Sequence, residues 1–216
     1  ARSYVGWRRM RRAEPNRAHY ALAELEQLGA INGVITQNVD GLHARAGSHN
    51  LLALHGDLSR IVCLDCGQDE GRESLDARLD AANPGYLDRL ESRDLRVNPD
   101  GDVELDQQYI QDFRMVPCLG CGSTRLKPDV VYFGESVPAE RKARKDAMLA
   151  ECSALLVVGS SVAVMSSYKI VLEALRAGKP VAIINGGPGR ADTKATFLWR
   201  TGVGEALELM LDAIDS

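Results

Sequence analysis

The sequence lacks any long uninterrupted apolar run. Hydrophobic residues make up 45% of its 216 residues, yet no stretch approaches the roughly 18 consecutive apolar residues that a membrane-spanning helix requires. Internal repeats and low-complexity tracts are also missing, which argues against a repeat architecture. No secretory segment is recognisable, so we expect reduced cysteines and no membrane partner. The length is sufficient for one full core and a small additional module.

One part of the chain is poor in basic residues. Residues 68–116 contain no lysine and hold 13 Asp and Glu against 6 Arg, a net charge of −7. Since the whole chain carries −4, the remainder carries +3. Proteins that grip nucleic acid use Lys and Arg to displace phosphate counterions. The acidic segment therefore predicts no direct binding of nucleic acid.

Four of the five cysteines form two matched C-x-x-C-G pairs, Cys63-Leu64-Asp65-Cys66-Gly67 and Cys118-Leu119-Gly120-Cys121-Gly122. Two intervening residues allow both sulfurs of a pair to face one ion about 2.3 Å away, and the glycine allows the backbone to fold beneath it. Four thiolates leave no open coordination position, which predicts one structural Zn²⁺ on Cys63, Cys66, Cys118 and Cys121. The alternative is two redox-active or disulfide-bonded pairs. We expect the fifth, Cys152, to be a small buried apolar residue.

Outside the acidic segment, the apolar pattern alternates between helix and strand. Four short apolar runs are predicted strands: Gly33–Thr36, Val130–Tyr132, Leu155–Val158 and Val181–Ile184. A helix is predicted to start at Pro15-Asn16 and to stop at Gly29, with apolar residues at helical spacing at Ala18, Ala21, Leu22, Leu25 and Leu28. Two further helices are predicted over 164–177 and 205–214. This alternation predicts an α/β fold with a doubly wound, Rossmann-like parallel sheet.

The acidic segment has its own pattern. Four leucines recur at a spacing that suits helices, namely Leu75, Leu79, Leu87 and Leu90. Residues 98–102, with the sequence Asn-Pro-Asp-Gly-Asp, predict a turn. We therefore expect helices and loops that pack beside the two cysteine pairs.

Small or polar residues follow every predicted strand of the sheet. In parallel sheets, ligands bind outside the carboxyl ends of the strands, so these residues are candidates for a binding site. They are residues 37–43 after the first strand, 133–135 after the second, Gly159-Ser160-Ser161 after the third and Asn185-Gly186-Gly187 after the fourth. A Gly-Ser-Ser segment that leads into a helix offers N–H groups and hydroxyls to a phosphate or a ribose. Four such segments at one edge predict a nucleotide site.

Together these motifs resemble those of the sirtuins, the NAD-dependent protein-lysine deacylases. The matching elements, in chain order, are Thr36–Asp40 (T-Q-N-V-D), Leu54-His55-Gly56, the two cysteine pairs, Lys127–Glu135, Val158–Val162 and Ile184-Asn185. The long acidic insertion, the Gly159-Ser160-Ser161 variant and residues 4–7 (Y-V-G-W) are most similar to the class II branch. The resemblance extends along nearly the whole chain, from Pro15 to Met210.

The sequence departs from the sirtuin pattern at its amino-terminal side. The Gly-Ala-Gly-x-Ser phosphate loop and the following Asp-[FY]-Arg segment of sirtuins are absent from the 216 residues. We expect a discontinuous Rossmann-like NAD-binding domain of residues 1–62 and 122–216 that lacks its first strand, and a zinc module with an acidic insertion over residues 63–121.

The resemblance implies a specific reaction. The carbonyl oxygen of an acyl-lysine attacks C1′ of the nicotinamide ribose, nicotinamide leaves and an alkylimidate forms. His55 then serves as the general base on the ribose hydroxyls, which leads to O-acyl-ADP-ribose and free lysine. Histidine suits this role because its unperturbed pKa near 6.5 allows it to accept a proton at neutral pH. Judged without the resemblance, His55 before a glycine is more often an ordinary turn or core residue.

The resemblance also implies the remaining site residues. Asn38 is implied in catalysis and cofactor binding, and the further NAD contacts are Gln37, Val39, Asp40, Gly159, Ser160, Ser161, Asn185, Gly186, Gly187 and Val203. The acyl-lysine peptide is expected to bind along Val131, Phe133, Gly134 and Glu135 as an added strand. Taken alone, Asn38-x-Asp40 is more often a helix cap, and Val203 an ordinary core residue.

Three functions remain compatible with these residues. The leading one is an NAD-consuming deacylase with one structural Zn²⁺ and an acyl-lysine protein or peptide as substrate. The alternatives are a protein mono-ADP-ribosyltransferase and an NAD- or ADP-ribose-binding module without catalysis. A cytoplasmic location is expected for a bacterial protein, and the mitochondrial matrix for a eukaryotic one.

Overall fold

The computed structural model describes residues 1–90, 95–96, 98 and 101–214. The helices are α1 (Arg2–Met10), α2 (Arg17–Gln27), α3 (Leu42–Arg45), α4 (Arg72–Ala82), α5 (Gln107–Asp112), α6 (Ala139–Glu151), α7 (Met165–Arg176) and α8 (Val203–Ile214), with short 3₁₀ helices at Asp88–Leu90 and Asp192–Lys194. The strands are β1 (Val34–Thr36), β2 (Leu51–Ala53), β3 (Gly56–Cys63), β4 (Asp69–Gly71), β5 (Leu126–Val130), β6 (Leu155–Val158), β7 (Val181–Ile184) and β8 (Phe197–Trp199). No helix in the described part of the chain is long and apolar enough to cross a membrane.

The chain divides into two compact units. The first unit consists of Ala1–Glu14, Asn38–Gly41 and His55–Glu135. The second unit consists of Pro15–Gln37, Leu42–Leu54 and Ser136–Ser216. The first unit is wider than the predicted zinc module of residues 63–121, because β3 and β5 continue beyond the cysteine pairs. The functional domain boundaries stay a prediction.

The second unit contains two parallel sheets. In one, β1 pairs with β2, so that Val34 lies opposite Leu51. In the other, β7 lies between β6 and β8, and Leu155 lies opposite Val181. Helix α7 connects β6 to β7, with Val164 and Ala177 as its caps. This is the α/β architecture with parallel strands that the sequence predicts, and three of the four predicted strands are present in it.

Helix α2 begins and ends where local sequence signals predict. The Asn16 side chain accepts hydrogen bonds from the N–H groups of Ala18 and His19, and the His19 ring accepts one from the Asn16 N–H, which completes a capping box. Gly29 terminates the helix with φ +74°, a value that side chains with a Cβ rarely adopt. Leu25 is fully buried, but Leu28 is 48% exposed. Leu28 follows the helical spacing but lies at the C-cap, beyond the last helical residue Gln27, and it does not join the core.

This difference between two leucines predicts a difference in stability. Leu25 packs in a cluster with Ala21, Leu22 and Leu207, so we expect Leu25→Ala to lower the free energy of unfolding by about 2–5 kcal/mol. Leu28→Ala is the matched control and should change it by less than about 0.5 kcal/mol. Urea titration followed by circular dichroism measures both values. Equal losses for the two variants would contradict the core assignment.

The first unit is built on an antiparallel sheet with the order β4-β3-β5. Cys63 lies opposite Leu126 and Gly56 lies opposite Val130, with an irregularity between Asp57 and Ile61. The second predicted strand, Val130–Tyr132, is thus wrong in extent and in partner, since β5 ends at Val130 and pairs with β3. Lys127-Pro128-Asp129 have low strand propensity, and this concealed the start of a strand that depends on pairing with a distant segment.

The acidic segment folds around its own apolar cluster. Leu75 and Leu79 of α4 are buried with Leu90, and Leu87 packs against the same cluster. Helices and loops are therefore present, as the leucine spacing predicts. The N–H of Gly101 donates to the carbonyl of Asn98, and the N–H of Asn98 donates to the carbonyl of Asp102. The other two residues of the predicted turn at 98–102, Pro99 and Asp100, lie outside the described residues.

Helix α1 is anchored to α4 by charged side chains. Arg72 is only 2% exposed, and its guanidinium donates to the Ser3 carbonyl at 2.7 Å and to Asp76 at 3.3 Å. Arg8 donates to both carboxylate oxygens of Asp80, at 2.5 and 2.7 Å. Burial of Asp76 raises the pKa of its carboxyl, and the facing arginines oppose that rise. Because a buried charge is tolerated only with a partner, these pairs determine how α1 lies on the insertion.

Candidate functional site

The four cysteines of the two pairs come together in the first unit. Their sulfur atoms all lie within 4.8 Å of one another. The Sγ atoms of Cys63 and Cys121 are 3.6 Å apart, and those of Cys66 and Cys118 are 3.8 Å apart. A tetrahedron of sulfurs about 2.3 Å from a central ion has edges of about 3.8 Å, whereas a disulfide requires about 2.05 Å. The cysteines are free thiols and are positioned to bind a metal ion.

The sheet of the first unit explains how pairs 51 residues apart in sequence meet. Antiparallel β3 and β5 bring Cys63 opposite Leu126, next to the second pair. Each C-x-x-C-G segment, called a knuckle below, is closed by a backbone hydrogen bond. The N–H of Gly67 donates to the carbonyl of Cys63, and the N–H of Gly122 donates to the carbonyl of Cys118. Both glycines have positive φ, +74° and +76°. The two glycines therefore allow the backbone to fold beneath the sulfurs, as the motif predicts.

The thiols influence one another strongly. Backbone N–H groups of Cys66 and Asp65 lower the pKa of Cys63 to about 7. The N–H of Ser123 lowers the pKa of Cys121, but the neighbouring thiols of Cys66 and Cys63 outweigh it and raise that pKa to about 12. Four thiolates this close repel one another unless a cation lies between them. Since a metal is bound by thiolates rather than thiols, this donor set fits Zn²⁺.

Contacts around the cysteines tie the two knuckles together. Asp65 of the first knuckle accepts a hydrogen bond from Arg125 at 2.5 Å and another from the Ser123 hydroxyl. Arg78 of α4 donates to the carbonyl of Pro117 at 2.7 Å, so the acidic insertion is attached beside the second knuckle.

Cys152 belongs to the second unit, is half-buried and donates to the Leu149 carbonyl at 3.3 Å.

His55 lies in the first unit, directly before β3. Its side chain is partly buried, and its carbonyl accepts the N–H of Val131 at 2.8 Å. Gly56, which follows it, is buried with φ +96°, so the backbone turns sharply at the junction. The bond between His55 and Val131 extends the β3–β5 pairing by one residue. His55 is thereby held beside the segment that the sequence assigns to peptide binding.

The Asn38–Asp40 segment is also part of the first unit. Val39 is buried in a cluster with Trp7, Leu58 and Val130, and its carbonyl accepts the Leu58 N–H at 2.9 Å. Asn38 is exposed and Asp40 partly buried. The structure therefore brings this segment and His55 to the same β3–β5 sheet. Val39 has a core position, while Asn38 and Asp40 present polar side chains.

The residues after β6 form a second group of candidates, in the second unit. The N–H of Gly159 donates to the Ile184 carbonyl at 2.9 Å, and φ at Gly159 is +60°. A Cβ at Gly159 would lie 3.4 Å from Val203, so this glycine adjoins the start of α8. Ser160 accepts the N–H of Val162 at 3.1 Å. Val203 is partly buried and packs against the cluster around Leu25, and its role in cofactor binding stays a prediction.

The residues after β7 lie beside them. Asn185 donates through its backbone N–H to Trp199 at 3.1 Å and through its side chain to the carbonyl of Gly187 at 2.8 Å. Gly186 and Gly187 are exposed. The predicted residues after β6 and β7 therefore gather at one edge of the parallel sheet. Gln37, at the end of β1, belongs to the same unit, and its binding role stays a prediction.

Three residues near this edge, Arg200, Asp192 and Arg190, belong to no motif that the sequence shows. Arg200 donates to the carbonyls of Asn185, at 3.4 Å, and Gly187, and it pairs with Asp192. Gly189 N–H and Arg200 together lower the pKa of the Asp192 carboxyl. Arg190 lies over the Tyr168 ring at 4.2 Å, and its N–H donates to the Ser161 carbonyl. These residues link loops that are distant in sequence.

Val162 has an unusual backbone conformation. This buried residue has φ +44°, which β-branched residues strongly disfavour. Such strain persists where the surroundings impose it and is typical of segments that contact ligands. Val162 directly follows the segment Gly159-Ser160-Ser161. Its strained backbone therefore favours the hypothesis that this segment belongs to a binding site.

The candidate peptide-binding residues follow β5 in the first unit. Val131 is partly buried, whereas Phe133 is 86% exposed at the tip of a turn. Gly134 has φ +89°, and the N–H of Glu135 donates to the Tyr132 carbonyl at 2.9 Å. The Val131 N–H donates to the His55 carbonyl, so the two residues are neighbours. The first unit therefore contains both the predicted catalytic histidine and the predicted peptide-binding segment.

The fold and the site define a class of α/β protein that has parallel sheets and a four-cysteine centre positioned to hold a metal ion. The Sir2 family model matches residues 3–166, which is more than half of the chain. The chain therefore belongs to the Sir2 family.

Named relatives extend this result along the full sequence. The chain is 62% identical over 215 residues to NAD-dependent protein deacetylase 1 of Corynebacterium efficiens. This match covers 100% of this chain and 76% of that protein. It is 45% identical over 214 residues to NAD-dependent protein deacetylase 1 of Streptomyces coelicolor, with coverages of 99% and 70%. It is 41% identical over 210 residues to the human mitochondrial NAD-dependent protein lipoamidase sirtuin-4, with coverages of 97% and 65%.

Solved structures agree with the family assignment. A Sir2 structure with a p53 peptide and NAD+ superimposes with a TM-score of 0.71 at 30% identity, covering 96% of this chain and 74% of that one. A Sir2 structure bound to acetylated peptide gives a TM-score of 0.72 at 28% identity, with the same coverages.

Proposed function

We propose that this protein is an NAD-dependent protein-lysine deacylase. It removes an acyl group from a lysine side chain, transfers it to ADP-ribose and releases nicotinamide. The observation that carries the proposal is the 62% identity over the whole of this chain to a relative named NAD-dependent protein deacetylase. His55, the polar loops after β6 and β7 and the four paired cysteines, which this proposal uses, are present in the sequence.

His55 acts as the general base in this proposal. Its backbone is held by the bond from the Val131 N–H to the His55 carbonyl, so the side chain starts from an ordered part of the chain. It accepts the proton of a ribose hydroxyl, whose oxygen then attacks the carbon of the alkylimidate. Addition of water to the resulting intermediate frees the lysine and leaves O-acyl-ADP-ribose. Asn38 and Asp40 hold the ribose and the carboxamide of nicotinamide. NAD supplies the glycosidic bond that is broken and the ribose hydroxyls that receive the acyl group.

The loops after β6 and β7 hold the rest of NAD in this proposal. Exposed backbone at Gly159 and Gly186 and the half-buried Ser160 and Asn185 offer N–H, hydroxyl and amide groups suited to ribose and phosphate oxygens. Gln37, Val39, Ser161, Gly187 and Val203 complete the proposed set. Each glycine allows a close approach that a side chain would block.

The acyl-lysine peptide binds along Val131, Phe133, Gly134 and Glu135. An extended peptide next to this segment forms backbone hydrogen bonds as an added strand. The exposed ring of Phe133 supplies apolar contact. Relatives named deacetylase and lipoamidase support a lysine bearing an acyl group as the substrate class.

Cys63, Cys66, Cys118 and Cys121 hold one Zn²⁺ with a structural role. With four protein ligands the ion has no position for substrate. We propose the domain division predicted from the sequence, with the zinc module over residues 63–121. A location in the bacterial cytoplasm is proposed on the basis of the bacterial relatives.

Product analysis tests the proposed reaction. We expect acetyl-lysine and lipoyl-lysine peptides, incubated with NAD, to give one nicotinamide for each lysine freed, with O-acyl-ADP-ribose as the third product. Mass spectrometry identifies all three. An intact acyl-lysine together with ADP-ribosylated protein would instead indicate an ADP-ribosyltransferase. NAD binding without nicotinamide release would indicate a binding module.

A further inference from the structure

The turn Tyr132–Glu135 presents an apolar side chain to solvent in a defined orientation. Phe133 at its tip is 86% exposed, more than any other large apolar residue in the described part of the chain. The turn is closed twice, because the Glu135 N–H donates to the Tyr132 carbonyl at 2.9 Å and the Tyr132 N–H donates to the Glu135 carboxylate at 3.0 Å. Binding residues are often carried on loops that a scaffold holds in place, and this turn holds Phe133 in that way.

A lysine from β5 fastens this turn. The Nζ of Lys127 lies 2.5 Å from the carboxylate of Glu135 and 4.8 Å from the centroid of the Tyr132 ring. The Lys127 side chain is 19% exposed, less than that of its partner Glu135 at 43%. The lysine and the Tyr132 N–H both lower the pKa of the Glu135 carboxyl. Lys127 therefore contacts both ends of the turn, once by an ion pair and once by a cation–π contact.

The backbone of Lys127 is held in a strand. Lys127 lies opposite Val62 in the β3–β5 ladder, one position from the pair formed by Cys63 and Leu126. It thus extends from strand backbone next to a metal-ligand position. Forming the ion pair costs side-chain entropy only, because the strand has already ordered the lysine backbone. This distinguishes the contact from an isolated surface pair, which contributes little.

We propose that Lys127 is a positioning residue for the peptide substrate. By holding Glu135 and Tyr132 it keeps the turn closed, and the closed turn aims Phe133 and aligns the backbone of residues 131–135 for the incoming peptide. The inference rests on the proposed deacylase function. It assigns Lys127 an effect on peptide binding and none on the chemical step, since the Lys127 side chain contacts Glu135 and Tyr132 of the turn.

Variants at Lys127 in the full-length protein test this assignment. Lys127→Met keeps the apolar stem and removes the charge, and we expect it to raise KM for an acetyl-lysine peptide by about tenfold. The kcat at saturating peptide and the KM for NAD should stay within about twofold of wild type. Lys127→Arg retains a cation and should restore the peptide KM. Lys142→Met, an exposed lysine on α6, is the matched control and should leave all three values unchanged.

Amide hydrogen exchange gives a readout that does not depend on turnover. The Tyr132 N–H is protected by Glu135, so in Lys127→Met its exchange should accelerate, while in Lys127→Arg it should stay slow. A peptide KM that is the same in Lys127→Met as in wild type overturns the inference, even if exchange accelerates. So does a parallel fall in kcat that Lys127→Arg fails to restore. A wild-type protein that binds no acyl-lysine peptide overturns the proposed function and, with it, this inference.

Discussion

Replacement of His55 by alanine is expected to lower the rate of lysine deacylation by about 10²- to 10⁴-fold, the range typical of a lost general base. The imidazole is the group in the first unit that we assign to deprotonating a ribose hydroxyl, and alanine cannot accept a proton. The affinity for NAD should change much less, because the proposed cofactor contacts are made by other residues.

The variant should fold normally, which makes the measurement interpretable. The described bond from Val131 reaches the backbone carbonyl of His55 rather than its ring. Truncation of its side chain therefore leaves the β3–β5 pairing intact. Circular dichroism and zinc content, compared with wild type, check this expectation.

Asp40→Asn is the comparison variant that separates the two stages of the reaction. It should weaken the placement of nicotinamide and so slow the release of nicotinamide itself. His55→Ala should reduce the formation of free lysine more than the initial release. Both products are measured for each variant by mass spectrometry. If His55→Ala deacylates at the wild-type rate, His55 is a turn residue and the proposed mechanism is wrong.

Loss of the metal should unfold part of the first unit. We expect Cys63→Ser and Cys118→Ser each to abolish stoichiometric zinc binding, and chelation of the wild-type protein to have the same effect. Structural zinc sites contribute roughly 10–16 kcal/mol of apparent binding energy, more than the whole stability of most domains. The cysteine sulfurs lie within 4.8 Å of one another, so without a cation they cannot all be held as thiolates.

The consequences should be local at first. The knuckles join β3 to β5, and the α4 insertion is attached beside them through Arg78 and Pro117. Hydrogen exchange should therefore accelerate over residues 56–82 and 115–130 before it does in the parallel sheets of the second unit. Cys152→Ser is the matched control, because Cys152 lies in the second unit and outside the sulfur cluster. It should keep one zinc per protein.

Two results would contradict a structural zinc site. One is full zinc content in Cys63→Ser or Cys118→Ser. The other is an unchanged exchange pattern after complete removal of the metal. Either result would mean that the four sulfurs meet for a reason other than holding an ion.

The sequence by itself determined the elements whose signals are local. Asn16 and Gly29 mark the ends of α2, and both cap as predicted. The apolar runs 155–158 and 181–184 form parallel strands with the predicted bounds. The two C-x-x-C-G motifs predict one cluster, and their sulfurs form one. Each of these signals depends on residues a few positions apart, so a linear sequence contains it completely.

Tertiary structure alone decided the features that require distant partners. The extent of β5 depends on pairing with β3, which starts 70 residues earlier, and Lys127-Pro128-Asp129 do not predict a strand by themselves. The contacts of Arg200 with Asn185, Gly187 and Asp192 join loops that only the β6–β7–β8 sheet brings together. Lys127 becomes a partner of Glu135 only once the turn after β5 has closed. Hydrogen bonds and ion pairs depend on distance in space, and folding creates that proximity.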